Sequence, residues 1–261
     1  MNVSLKGLQA LVCGSTQGIG LGIAKELAAQ GATCILFARN EAVLREKVAE
    51  LPCPLQQVHS YVVADFSDLD LMKKEGARLL EKSSVDILIN NTGGPKAGFI
   101  AEAQGEEFSK AFQQHLLVNQ LLAQAVIPGM KRKGYGRIIN IISTSVRIPI
   151  ENLGVSNTIR AAVASWSKTL SNELGGFGIT VNSILPGFIS TQRLRTLIEA
   201  NARRRGVEEK VIEQEMLHSI PAKRFGTTEE IAAVAAFLAS PAASYVNGVS
   251  IPVDGGKTGI I

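Results

Sequence analysis

Cysteine is scarce in this sequence. The three present, Cys13, Cys34 and Cys53, form no metal-type spacing, and an odd count leaves at least one without a partner. Set among apolar strand-like runs, they argue for reduced thiols and a cytoplasmic home, and no metal is expected. Long apolar runs are missing too. None is long enough to span a bilayer, and the opening stretch "MNVSLKGLQALVCG" lacks a signal-peptide pattern. Low-complexity tracts and a disordered-tail composition are also absent. The excess of positive charge is small, 27 − 23 = +4, and gives no reason to expect a nucleic-acid partner. Tyrosine is rare, with only Tyr61, Tyr135 and Tyr245.

What is present is apolar residue in quantity. The 261 residues are 46 % apolar and 19 % charged, which suits one large globular domain over residues 1–261. Short apolar runs rich in β-branched residues alternate with longer helical patterns. "LQALVCG", "TCILFA", "VHSYVVAD", "VDILINN", "GRIINIIS", "GITVNSILPG" and "GVSIPVDGG" read as strands. "GIGLGIAKELAAQG" reads as a helix ended by Gly31, and "NEAVLREKVAEL" as another; Ser67 is expected to cap the helix after the third strand. Nearly all-apolar strands alternating with helices predict an α/β protein, a parallel sheet covered by helices on both faces. Ligands of such sheets bind outside the carboxyl ends of the strands. The loops of interest therefore begin at Gly14, Arg39, Asp65, Asn90, Ser143 and Pro186.

"CGSTQGIG" follows the first strand and opens the first helix. Gly14, Gly18 and Gly20 would let backbone approach a pyrophosphate, which the free N–H groups of a helix start would bind. A tight turn with close helix packing would favour the same glycines. The second strand ends in "FARN", where an acidic residue would bond a free adenosine ribose. Ala38 stands there instead, followed by Arg39, whose guanidinium suits a 2′-phosphate. This favours NADP(H) over NAD(H); a solvated loop arginine is the plainer alternative.

These motifs resemble those of the short-chain dehydrogenase/reductase family along nearly the whole chain, most of all its 3-oxoacyl-carrier-protein reductases. "CGSTQGIG" looks like the family's T-G-x-x-x-G-x-G loop, with Cys13 in place of Thr. "VADFSD" matches its adenine-side Asp, "NNTGG" its N-N-A-G, "LPGFIST" its P-G-x-x-x-T, and "IPAKRFGTTEEIA" and "VDGG" its C-terminal signatures. The resemblance implies a Rossmann-like, doubly wound sheet, carbonyl/alcohol chemistry and a nicotinamide dinucleotide. It implies cofactor contacts from Gly14, Thr16, Gln17, Gly18, Ile19 and Gly20 in the first loop. Arg39, Asn40, Asp65 and Phe66 would lie on the adenosine side. Asn91, Thr92 and Gly93 would follow the fourth strand, and Pro186, Gly187, Ile189 and Thr191 would meet the nicotinamide end. It also implies a small-molecule or acyl-thioester substrate, no membrane partner, and a homodimer or homotetramer packed partly through the helix that holds "GVSNTIRAAV".

The resemblance breaks at the catalytic positions. Family members use Asn, Ser, Tyr and Lys. Ser143 matches the Ser. Thirteen residues on, where Tyr is usual, stands Ser156, and four further, in place of Lys, stands Arg160. Twenty-five residues after Asn90, in place of Asn, stands His115, with Asn119 one turn on as a rival. An aliphatic hydroxyl is a far weaker acid than a phenol, and a guanidinium stays protonated. Arg160 can still bond ribose hydroxyls and supply positive potential. His115 is the best substitute acid, since histidine titrates near neutrality; a packed helix histidine is the alternative. Ser143 and Ser145 can donate to a developing oxyanion, or Ser145 can cap local backbone. Lys96 is either in the pocket or solvated.

Residues 191–218 form a charged helical insertion in the place of the substrate lid. Its run "ANARRRG" would attract an acidic carrier or anionic thioester, or is neutralised by "EEKVIEQE" downstream. Two functions remain open: an NADP(H)-dependent oxidoreductase with an unusual proton donor, or a nucleotide-binding pseudoenzyme acting as sensor or structural homologue.

Overall fold

A computed structural model of the chain describes residues 1–82 and 84–259. Seven strands form its sheet: β1 Gln9–Cys13, β2 Thr33–Ala38, β3 Ser60–Val63, β4 Ile87–Asn90, β5 Gly136–Ile141, β6 Ile179–Pro186 and β7 Ser250–Val253. Their order is β3-β2-β1-β4-β5-β6-β7, and every pairing is parallel. The five inner strands, β1, β2, β4, β5 and β6, are buried on both faces, which is why they lack polar alternation, whereas the edge strands β3 and β7 are partly exposed. Successive residues of β1 feed opposite layers. Ala10 and Val12 pack with Ile23, Leu27 and Ile231; Leu11 and Cys13 pack with Val118, Leu122 and Leu174.

The helices are α1 Gly18–Ala29, α2 Glu41–Ala49, α3 Leu69–Lys82, α4 Gly105–Phe112, α5 Val118–Lys133, α6 Gly154–Leu174, α7 Gln192–Arg205, α8 Glu209–His218 and α9 Thr228–Ala239. The first layer above is supplied by α1, α2 and α9, the second by α3, α5 and α6. Among the described residues no helix is long and apolar enough to cross a membrane.

Local chemistry sets several boundaries. Gly31, at φ +98°, takes the left-handed conformation just past α1, as the sequence predicts. Asn40 Oδ1 accepts from Val43 N at 3.2 Å and starts α2. The cap of α3 differs from expectation. Asp68, not Ser67, supplies it: Asp68 Oδ1 accepts from Asp70 N at 3.1 Å and Leu71 N at 2.9 Å. The Ser67 hydroxyl is already committed to Asp65 Oδ1 at 2.7 Å.

Strand order reverses between β1 and β4, so the loops leaving these two strands diverge and open a crevice. The loops after β5 and β6 flank the same end of the sheet.

Candidate active site

The loop after β1 is a cradle that side chains would fill. A Cβ on Gly20 would sit 2.3 Å from Gly14 O and 2.6 Å from Asn91 Nδ2; one on Gly14 would sit 2.5 Å from Asn91 O. Gly14 and Gly18 also have positive φ, +58° and +55°. Asn91 Nδ2 donates to Cys13 O at 3.2 Å and Gly14 O at 3.3 Å, tying this loop to the one after β4. Gln17 precedes α1 without a side-chain cap bond, so the first-turn N–H groups stay free for an anion. This geometry fits a dinucleotide pyrophosphate. Thr16 and Ile19 are half-buried here and Gln17 is exposed.

Ser15, which sequence reasoning passed over, stiffens the cradle. Its buried hydroxyl accepts from Phe37 N at 2.9 Å, while Gly14 N donates to Phe37 O at 2.9 Å. The loop is thus pinned to β2 at two points, beside Cys13, whose thiol burial pushes up to about 12.

On the adenosine side, Arg39 is exposed, and its Nη1 lies 4.0 Å from Asp65 Oδ2, a loose pair in water. Asp65 Oδ1 accepts from Ser67 N at 2.8 Å, and this bond leads the causes that lower its pKa. Phe66 packs against Phe37 with ring centroids 5.6 Å apart. The Asn40 side chain serves as the α2 cap.

At the other end, three residues meet at Thr92. Its Oγ1 shares a hydrogen bond with His115 Nδ1, and its carbonyl accepts from Arg160 Nη2 at 3.2 Å. Arg160 Nη1 donates to Ile141 O at 3.0 Å, so this guanidinium bridges the ends of β4 and β5. Beneath it a polar chain runs through the core: Asn90 Nδ2 to Asn140 Oδ1, Asn140 Nδ2 to Ser167 Oγ, and Ser183 Oγ to Ser167 Oγ. Ser156 and Arg160 lie one turn apart on α6 and both are buried, as their spacing predicts.

His115 stands in a π-turn, Gln113–Leu117, that joins α4 to α5. Such turns aim a side chain that a regular helix would place elsewhere. His115, not Asn119, reaches Thr92; Asn119 is buried one turn on. The near-neutral titration expected of His115 does not survive folding. Burial first, then the charges of Arg160 and Arg193, push its pKa down to about 3. The ring is only 1 % exposed, and among the described residues its Nε2 has no hydrogen-bond partner. Arg160 itself, desolvated and near Arg193, is lowered to about 10 and stays charged at neutral pH.

Ser143 rather than Ser145 caps local backbone: its Oγ accepts from Ser145 N at 3.1 Å, which leaves its O–H free to donate. Among the described residues the buried Ser145 hydroxyl has no partner. Gly93 is exposed beside this end, and so is Lys96.

After β6, Pro186 is buried, and Gly187 packs where a Cβ would meet Asp254 Cβ at 2.6 Å. The Ile189 side chain is used in the core against Gly226. Thr191 caps α7, and its Cγ2 lies 3.5 Å from where a Gly18 Cβ would be, so the segment 191–218 begins against the glycine cradle. The basic run is partly neutralised, by one carboxylate within residues 191–218 and one outside them. Arg205 forms a paired bond with Glu215, and Arg204 lies 3.7 Å from Glu151 and over the Phe99 ring. Arg193, which sequence reasoning did not single out, crosses to the β4 loop, and its Nη2 donates to Pro95 O at 2.8 Å. No local pattern marks it; it is an ordinary charged residue in a helix's first turn.

A parallel sheet with a glycine cradle after its first strand, at the point where the strand order reverses, defines the dinucleotide-binding α/β class. Comparison with known proteins narrows this. A family model described as enoyl-(acyl carrier protein) reductase matches residues 14–258. The chain is 34 % identical over 263 residues to 2-dehydro-3-deoxy-D-gluconate 5-dehydrogenase of Bacillus subtilis, covering 97 % of this chain and 95 % of that one. It is 35 % identical over 260 residues to the 3-oxoacyl-(acyl-carrier-protein) reductase FabG of Haemophilus influenzae, covering 97 % and 98 %. Among solved structures, L-sorbose reductase from Gluconobacter frateurii, complexed with NADPH and L-sorbose, superimposes with a TM-score of 0.93 at 30 % identity, covering 100 % of both chains. The chain belongs to the short-chain dehydrogenase/reductase family of oxidoreductases.

Proposed function

We propose that this chain is an NADP(H)-dependent oxidoreductase that interconverts a carbonyl compound and an alcohol through Ser143, Ser156, Arg160 and His115. The observation that carries the reading is the continuity between the glycine cradle at Gly14–Gly20 and the buried Arg160–Thr92–His115 cluster, joined through Asn91. Relatives described as NADPH-dependent or solved with NADPH support the cofactor class. When bound, the dinucleotide supplies hydride to the carbonyl carbon. The chain's own residues must then hold the oxygen and deliver its proton. Ser143 and Ser156 have hydroxyls to donate to that oxygen, and Arg160 adds positive potential in a dry site. His115, neutral in the free protein, serves as a relay between water and Ser156 rather than as an imidazolium acid.

Arg39 carries the cofactor preference in this reading. Arg39→Ala is expected to weaken NADPH binding about tenfold, the loss of one charge-assisted pair, and to leave NADH binding within about twofold. Fluorescence titration with both cofactors checks this; equal losses for the two would remove Arg39 from the recognition of a 2′-phosphate.

The second reading is a nucleotide-binding protein without turnover. It is favoured by the whereabouts of the phenols: Tyr61 bonds Glu41, Tyr135 bonds Ala239 O, and Tyr245 is fully exposed. A carbonyl and alcohol panel with NADPH separates the two. Tight binding with no cofactor consumed by any substrate would leave only the second.

A further inference from the structure

Two guanidinium groups converge on one glycine at the mouth of the site. A side chain at Gly94 would meet Arg193 Nη2 at 3.2 Å and Arg160 Nη2 at 3.8 Å. The two arginines come from different elements, α6 and the first turn of α7. Each is held by backbone carbonyls: Arg160 by Ile141 O and Thr92 O, Arg193 by Pro95 O. Among the described residues neither lies within ion-pairing distance of a carboxylate.

Two like charges this close are unfavourable, most of all when one is buried, and Arg160 is only 8 % exposed. A guanidinium has five N–H donors, and the bonds above use two on Arg160 and one on Arg193. Arg193 is exposed and Arg160 buried, and their spare donors, with the buried charge of Arg160, suit a planar anion between them. Gly94 keeps the space open.

The anion has two sources, the dinucleotide phosphates or the substrate. The phosphates have their own cradle, which abuts Asn91 and Thr191. Gly94 lies beyond Thr92, whose two oxygens hold His115 and Arg160. The pair therefore adjoins His115 and includes Arg160, two of the residues proposed for the chemistry.

We propose that Arg160 and Arg193 jointly receive a carboxylate of the substrate, so that the protein selects oxo or hydroxy acids over neutral ketones, esters and thioesters. The inference rests on the oxidoreductase reading and narrows its substrate class. Arg193 is a specificity residue here, carried by the first turn of α7. The bound carboxylate also cancels the two charges that, after burial, keep His115 neutral.

Calorimetric titration tests this with malonate, 3-hydroxybutanoate and D-gluconate, each against its neutral amide. The titrations use the free protein and its NADP⁺ complex. At least one acid is expected to bind about tenfold or more tightly than its amide. Arg193→Met should remove that advantage while NADP⁺ affinity stays within about twofold, and Arg193→Lys should restore part of it. The proposal is overturned if no acid outbinds its amide, or if Arg193→Met leaves acid binding unchanged. It is also overturned if that variant weakens NADP⁺ instead, since the guanidinium would then serve the cofactor phosphates. Should wild-type protein fail to bind NADP⁺, the oxidoreductase reading falls, and the titrations on free protein still decide the carboxylate site.

Discussion

Gly20→Ala is expected to abolish dinucleotide binding while the rest of the sheet still folds. The added methyl would lie 2.3 Å from Gly14 O and 2.6 Å from Asn91 Nδ2. Neither atom can retreat easily. Gly14 sits at φ +58° with its N–H bonded to Phe37 O, and Asn91 Nδ2 is shared between Cys13 O and Gly14 O. Overpacking of this kind costs about 1–3 kcal/mol. Relief comes by displacing the very backbone that would face the pyrophosphate. NADPH affinity should fall by about a hundredfold or more, with a modest drop in Tm. Gly18→Ala is the control. Its Cβ would meet Thr191 Cγ2 at 3.5 Å and Thr191 Cβ at 3.8 Å, both ordinary contacts, so it suffers mainly the left-handed backbone penalty, about 1 kcal/mol. A Gly20→Ala protein that binds NADPH within about twofold of wild type would show that the cradle does not hold the cofactor.

The second large effect is on stability against pH. His115 has a folded pKa of about 3 against the usual 6.5, with burial the leading cause and Arg160 and Arg193 adding to it. Between these values the unfolded chain binds a proton that the folded site refuses. Stability contributed by the neutral ring is therefore complete above about pH 6.5 and is lost as pH falls toward 3. The slope is roughly 1 kcal/mol per pH unit in that window. Carboxylates held low, such as Glu230 beside Arg224, steepen the loss only below their ordinary 4.5. Urea unfolding of wild type and His115→Asn from pH 7 to pH 5 isolates the histidine. The wild type should lose stability across that range and the variant should stay nearly level. Parallel slopes would mean that His115 is not the group kept neutral by this site.

Much of this site was legible from one chain. Alternation of apolar runs with helical patterns required a parallel sheet, because strands without polar positions have no face to give to water. The order of glycines after β1 located the cradle, since only residues without a side chain allow backbone to pass so closely. Counting from Ser143 and Asn90 singled out Arg160 and His115, which meet at Thr92 beyond the end of β4. Such features depend on local periodicity and fixed spacing, and those survive in one dimension.

Tertiary structure decided what these residues do. That Thr92 clamps both His115 and Arg160, that Ser15 pins the cradle to β2, and that Arg193 crosses from the lid to Pro95 are contacts between distant parts of the chain. That Ser143 rather than Ser145 caps the local backbone turned on which hydroxyl faced a free N–H. The charge on His115 was the furthest from reach. Its residue type says 6.5, but the ionisation depends on lost water and on two guanidiniums brought near by folding, and neither is written in the residues beside it.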